Sequence, residues 1–108
     1  MTKEDEARHG EKIIVHVDEE IEDLIPGFLK NRRKDLIALK EALAKGDHES
    51  ISRLGHKMKG TGGGYGFDLI TDLGQSIEEA AKEKNNDEIQ KRIHELFHFL
   101  ENVEVIYG

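Results

Sequence analysis

Three side chains within four residues could together handle a phosphoryl group: His56, Lys57 and Lys59, in the stretch GHKMKGTGGGYG at 55–66. An imidazole nitrogen is nucleophilic near neutral pH and can carry a phosphoryl group as a phosphoramidate. Lysine ammonium groups beside it would stabilise the transferring oxygens. Five glycines follow among residues 60 to 66, each costing roughly 0.5–1 kcal/mol in a helix interior. A wheel at about 100° per residue gives them a purpose. Ile51, Leu54, Met58, Gly62 and Tyr65 share one face. His56 points about 140° away from it, to solvent, with Ser52, Lys59, Gly60 and Gly63 around it. Gly60 and Gly63 then leave the ring open to another macromolecule, whereas Gly62 faces the core and Gly66 ends or bends the helix. These residues alone imply an exposed nucleophilic histidine that meets a protein partner carrying phosphate.

The elements that must hold this histidine are helices. Asp18 is a fit N-cap for an apolar pattern of Ile21, Leu24, Ile25, Phe28, Leu36, Leu39 and Leu43, interrupted by Pro26-Gly27. This predicts a short first helix, a kink or break near Pro26, and a long helix ending at AKGD, residues 44–47. Asp47 caps the histidine helix. After Gly66 come Phe67, Leu69, Ile70, Leu73, Ile77, Ala80 and Ala81, then a turn at EKNND (83–87). A last helix carries Ile89, Ile93, Leu96, Leu100 and Val103 at three-four spacing. IIVHV (13–17) is β-prone but finds no partner strand in this reading, so it is expected as an extended lead-in packed on the bundle. The predicted architecture is all-α: an antiparallel four-helix bundle with a short extra N-terminal helix, over residues 13–108, preceded by a polar, disordered segment at 1–12.

HKMKGTGGGYGF at 56–67 resembles the signature of histidine-containing phosphotransfer (HPt) domains, in which His-x-x-Lys-Gly is followed by small residues, an aromatic or aliphatic residue and Gly. The similarity extends from DEEIEDLIPGFLKNRRKDLIALKEALAKGD (18–47) to LGQSIEEA (73–80). The resemblance implies a helical bundle whose histidine takes a phosphoryl group from a receiver-domain aspartate and gives it to another. Carried over, His56 is the phosphoacceptor, Lys59 and Lys57 support the phosphate, and Gly60 and Gly63 keep the approach clear. The family places a polar side chain of the adjoining helix beside the histidine. Glu78, twenty-two residues on, takes that place where relay domains often have glutamine. A glutamate there resembles the phosphoacceptor domains of chemotaxis kinases, where it accepts from the ring's Nδ1 and leaves Nε2 as the nucleophile. Gln75, one turn earlier, is a candidate to share this pocket. The implied partners are response-regulator receiver domains and a hybrid or simple histidine kinase. The receiver supplies the aspartate and the divalent cation, and no cofactor or metal is expected on this chain.

Composition narrows the alternatives. One hundred and eight residues suit one small domain. Sixteen basic against 23 acidic side chains give a net charge of -7, which argues against nucleic acid or an anionic membrane as partner. No cysteine is present, which excludes thiolate chemistry and disulfides. The first dozen residues have no apolar core of the signal-peptide kind, so a cytoplasmic location and a monomer are expected. The glycine cluster lacks the order of a nucleotide-binding loop, and no kinase machinery is visible. HELFH at 94–98 matches the zinc-protease pattern, with His94 and His98 on one helical face, Glu95 as base and Glu101 as a conceivable third ligand. Leu96 and Phe97 fit the apolar seam instead, and there is no sheet to align a peptide. A metal-dependent hydrolase and a helical adaptor never phosphorylated at His56 remain as rivals. His9, His16 and His48 join no constellation.

Overall fold

A computed structural model describes residues 12–108. The expected disordered segment therefore lies, apart from Lys12, outside the described residues. In chain order the elements are β1 (Ile13–Val17), a 3-10 helix (Glu19–Leu24), α1 (Ile25–Lys45), α2 (His48–Gly62), a 3-10 turn (Gly63–Tyr65), α3 (Asp68–Lys82), α4 (Asn86–Asn102) and β2 (Val103–Tyr107).

The helix ends follow from the residues that stand there. Asp18 accepts from the Glu20 amide at 2.9 Å and opens the 3-10 helix. At Pro26 the expected break is only a change of helix type. The 3-10 helix runs directly into α1, and the proline sits in the first turn, where its missing N–H costs nothing. Gly46 closes α1 in the left-handed conformation (φ 68°). Asp47 then caps α2 through the Ser50 amide at 3.1 Å, and Asn85 caps α4 through the Glu88 amide at 3.1 Å. Links this short turn each helix back along its predecessor, so the four helices close an antiparallel bundle.

The core is aliphatic, with Leu39, Ile51, Met58, Ile70, Ile77, Ile89, Ile93 and Leu96 sealed from solvent. Phe67 stacks on Phe28 at 4.8 Å and meets the Phe99 ring edge-on at 6.1 Å. Phe97 departs from the expected seam. It is 42% exposed, because it lies about 100° round the helix from Leu96, and Lys40 Nζ covers its ring at 5.3 Å.

The lead-in strand does have a partner, which corrects the reading of IIVHV. β1 pairs in parallel with β2, in register from Ile13 opposite Val103 to Val17 opposite Tyr107. VEVIY alternates with period two, turning Val103, Val105 and Tyr107 toward the core cluster and Glu104 and Ile106 outward. Val103 sits three residues after Leu100 and so stays in phase with the helix, which is why it reads as helical. Among the described residues, no helix is long and apolar enough to cross a membrane.

Candidate functional site

His56 stands on α2 with 74% of its side chain exposed, and its Nδ1 lies 3.2 Å from Glu78 Oε2 on α3. What permits this distance is the absence of side chains between the two helices. A Cβ on Gly55 would lie 2.7 Å from both the Glu78 amide nitrogen and the Gly74 carbonyl oxygen. One on Gly74 would lie 2.5 Å from the Lys59 amide nitrogen. Gly62, two turns after Gly55 on the same face, touches Thr71 in the same way, with its hypothetical Cβ 2.7 Å from the Thr71 amide nitrogen. Backbone packs on backbone here, and the residue after Gly55 is thereby set against the residue four beyond Gly74.

Glu78 is largely enclosed, with a side chain 14% exposed, and it also meets Lys82 Nζ at 3.4 Å. Burial pulls its carboxyl upward, but the Lys82 ammonium, followed by His56, outweighs this and holds it below the ordinary carboxylate value. An ionised carboxylate can only accept a hydrogen bond. A neutral His56 ring that donates to this carboxylate would do so from a protonated Nδ1, which would leave the Nε2 lone pair directed away from Glu78.

The other expected site residues are distributed as follows. Lys59 is exposed and forms no ion pair among the described residues. Lys57 turns away from Glu78 toward α1, where its Nζ lies 3.0 Å from Asp35 Oδ1. Gln75 donates to Glu79 Oε2 at 3.3 Å and so binds a different carboxylate from the one at the ring. Gly60 and Gly63 are exposed. A Cβ at Gly60 would touch nothing within 4 Å, and one at Gly63 only Thr71 Oγ1 at 3.5 Å.

Two features escaped the sequence reading. One is the pair Gly55 and Gly74, whose only signal is glycine inside an otherwise strong amphipathic pattern. The other is a buried polar cluster on α1. Arg32 and Asp35 are each 4% exposed. Arg32 Nε donates to Asp35 Oδ2 at 2.8 Å, its Nη1 donates to Thr61 Oγ1 at 2.9 Å, and its guanidinium lies 4.9 Å from the Phe28 ring centroid. Arginine one turn before aspartate on a helix is too common a surface pattern to betray a buried pair.

The HELFH stretch does not assemble as a metal site. Glu95 binds Arg92 Nη1 at 2.8 Å, His98 is engaged by Asn102 Nδ2 through its carbonyl at 2.8 Å, and His94 and Glu101 are exposed. Among the described residues, no group of three or more His, Cys, Asp or Glu side chains could hold a metal ion. His48, by contrast, gains a partner: its Nε2 lies 2.6 Å from Asn86 Oδ1 and ties α2 to α4.

A family model described as Hpt domain matches residues 15–105, from within β1 to within β2. No curated protein and no solved structure gives a significant match to the chain.

Proposed function

The chain belongs to the Hpt domain family, whose members are phosphocarrier modules of two-component phosphorelays, and we propose that it relays phosphate through Nε2 of His56. The observation that carries this reading is the exposed ring whose Nδ1 lies 3.2 Å from the Glu78 carboxylate. In the forward step, Nε2 attacks the phosphorus of a receiver-domain aspartyl phosphate. The N–P bond forms, the P–O bond to the aspartate breaks, and the aspartate leaves as a carboxylate. The ring proton stays on Nδ1, where Glu78 balances the charge the ring gains. A second receiver reverses these events with its own aspartate. A histidine kinase is the alternative donor.

Lys59 is the cation free to meet the phosphoryl oxygens. Lys57, already held by Asp35, supports the site from the α1 side. Gln75 acts at one remove, steadying Glu79 beside Glu78. Gly60 and Gly63 give the partner its approach. The divalent cation belongs to the receiver's aspartate, and this chain brings neither a cofactor nor a nucleotide site of its own. It works as a monomer in the cytoplasm.

Incubation with a phosphorylated receiver domain tests the reading. The expected product carries one acid-labile, base-stable phosphate that His56→Gln cannot acquire. A label retained by His56→Gln, or never acquired by wild type from any receiver or kinase, contradicts it. Peptidase activity sensitive to chelator and lost in Glu95→Gln would favour the HELFH hydrolase instead.

A further inference from the structure

The end of α2 and the turn after it, directly beyond His56, contain five glycines among residues 60–66 and have little helix propensity of their own. Tertiary contacts must therefore keep this stretch in shape. Toward α3 the contacts are made at Gly55, Gly62 and Gly74, which bring no side chain to the seam. A seam of this kind sets how near two helices lie, but it lacks the interlocking knobs that stop one helix sliding or turning on the other. Something else has to fix the axial position and rotation of the helix that carries His56.

The buried pair on α1 grips α2 at two points. Asp35 Oδ1 lies 3.0 Å from Lys57 Nζ, and Arg32 Nη1 donates to Thr61 Oγ1 at 2.9 Å. Lys57 and Thr61 are four residues apart and share one face of the helix, with Lys59 and Gly60 on the turn between them. Arg32 Nε and Asp35 Oδ2, 2.8 Å apart, join the two grips into one unit. Thr61 Oγ1 in turn donates to the Met58 carbonyl oxygen at 3.3 Å, within the same turn. The arginine is itself seated, its guanidinium 4.9 Å from the centroid of the Phe28 ring, which packs on Tyr65 and Phe67 to either side of Gly66. Stability alone does not account for such a pair. Taking both charges out of water offsets much of their attraction, and apolar side chains often serve a core as well. Apolar side chains cannot, however, bond at set angles to two points of a neighbouring helix.

We propose that Arg32 and Asp35 are positioning residues for phosphotransfer: from α1 they clamp the turn 57–61 and fix the rotation and axial position of α2, so that His56 meets Glu78 and Lys59 faces the phosphoryl group. Neither residue touches the reacting atoms. The inference rests on His56 being the phosphoacceptor, and it adds what holds the helix of that histidine in place. The glycine seam sets the distance between α2 and α3, and the clamp sets their alignment.

The double variant Arg32→Met with Asp35→Ala removes the clamp without orphaning its partners, since Lys57 can turn to water and Thr61 keeps the Met58 carbonyl. Its thermal midpoint should stay within about 5 °C of wild type, while amide hydrogen exchange at residues 57–63 should quicken about tenfold. With the phosphorylated receiver that labels His56 fastest, the maximal transfer rate should fall about tenfold and KM should stay within about twofold. Labelling by the small donor phosphoramidate should fall by a similar factor, because the fault lies at the histidine and not in docking. A second pair is read even if the double variant fails to fold: Thr61→Val, which loses the hydroxyl, should slow transfer, and Thr61→Ser, which keeps it, should restore the rate. An unchanged transfer rate in the folded variants, a loss shared equally by Thr61→Ser and Thr61→Val, or a loss seen only at temperatures where the variant unfolds overturns the clamp and leaves the phosphoacceptor standing. Failure of wild type to label from either donor removes the phosphoacceptor itself, and with it the role of the clamp in transfer.

Discussion

The two seams that hold α3 are built on opposite plans. Toward α4 the contact is made of side chains, with Ile70 and Ile77 buried on α3 and Ile89 and Ile93 buried on α4. Toward α2 it is made of their absence: Gly55, Gly62 and Gly74 bring the two backbones together so closely that no Cβ fits at any of them. The first plan is the ordinary way to stabilise a bundle, since buried methylenes are worth about 0.8 kcal/mol each. The second forgoes that burial and sets a distance instead. It places His56 Nδ1 3.2 Å from Glu78, and a looser seam filled with side chains would separate them. The edge of this molecule that carries His56 is thus the edge from which bulk has been removed.

Substituting the same residue into each seam exposes the difference most sharply. Gly74→Val must push α2 away, because the Lys59 amide nitrogen and the Gly55 carbonyl oxygen stand 2.5 and 2.6 Å from its Cβ. Overpacking of this kind costs typically 1–3 kcal/mol, and transfer to His56 should collapse even at temperatures where the variant remains folded. Ile77→Val in the other seam should cost about 1 kcal/mol in a denaturant titration while leaving the transfer rate as it was. Equal losses of transfer in both variants would mean that the glycine seam serves only packing.

Glu78→Ala removes the acceptor at Nδ1 without disturbing the seam. Groups that orient an imidazole are typically worth 10–100-fold, and a fall in transfer rate of that order is expected with little change in thermal midpoint. The pH dependence has a definite sign. Because the carboxyl of Glu78 is held below the ordinary glutamate value of 4.5 in the fold, its contribution to stability is complete above its unfolded value and is lost as pH falls through the lowered folded one. Wild type should therefore show an acid-side loss of stability below about pH 4.5 that Glu78→Ala lacks. Identical acid profiles would dissociate Glu78 from the ring.

The smallest effect is expected at Gly60, where an added Cβ meets open space. Gly60→Ala should stabilise the protein by roughly 0.5–1 kcal/mol through helix propensity. The bulkier Gly60→Leu should also fold well, yet slow transfer from a receiver more than labelling by phosphoramidate. A variant more stable and less active in this way identifies a glycine kept for access.

Much of this plan is legible in the chain. The three-four spacing separates the face of Ile51, Leu54 and Met58 from the face of His56, and Asp18, Gly46, Asp47 and Gly66 mark ends that the structure places where their chemistry puts them. Glu78 is found by resemblance rather than by spacing, since its distance of twenty-two residues from His56 has no local periodicity. The meaning of Gly55 and Gly74 is hidden because a glycine in a helix registers locally only as a cost. What repays it is a neighbour brought close by the fold. The same holds for Asp35, which reads as surface charge until Arg32 and Lys57 are seen to enclose it. The β1–β2 pair joins segments eighty-six or more residues apart in sequence, and nothing short-range announces it.

The central claim is that Glu78 holds Nδ1 of His56 so that Nε2 takes the phosphate. Phosphorus–nitrogen correlated NMR on the protein labelled by a phosphorylated receiver tests this most directly. The expected spectrum shows a single phosphoramidate on Nε2 of His56, with the Nδ1 proton retained and shifted by its hydrogen bond. A phosphoryl group on Nδ1, or on any residue other than His56, would contradict the account.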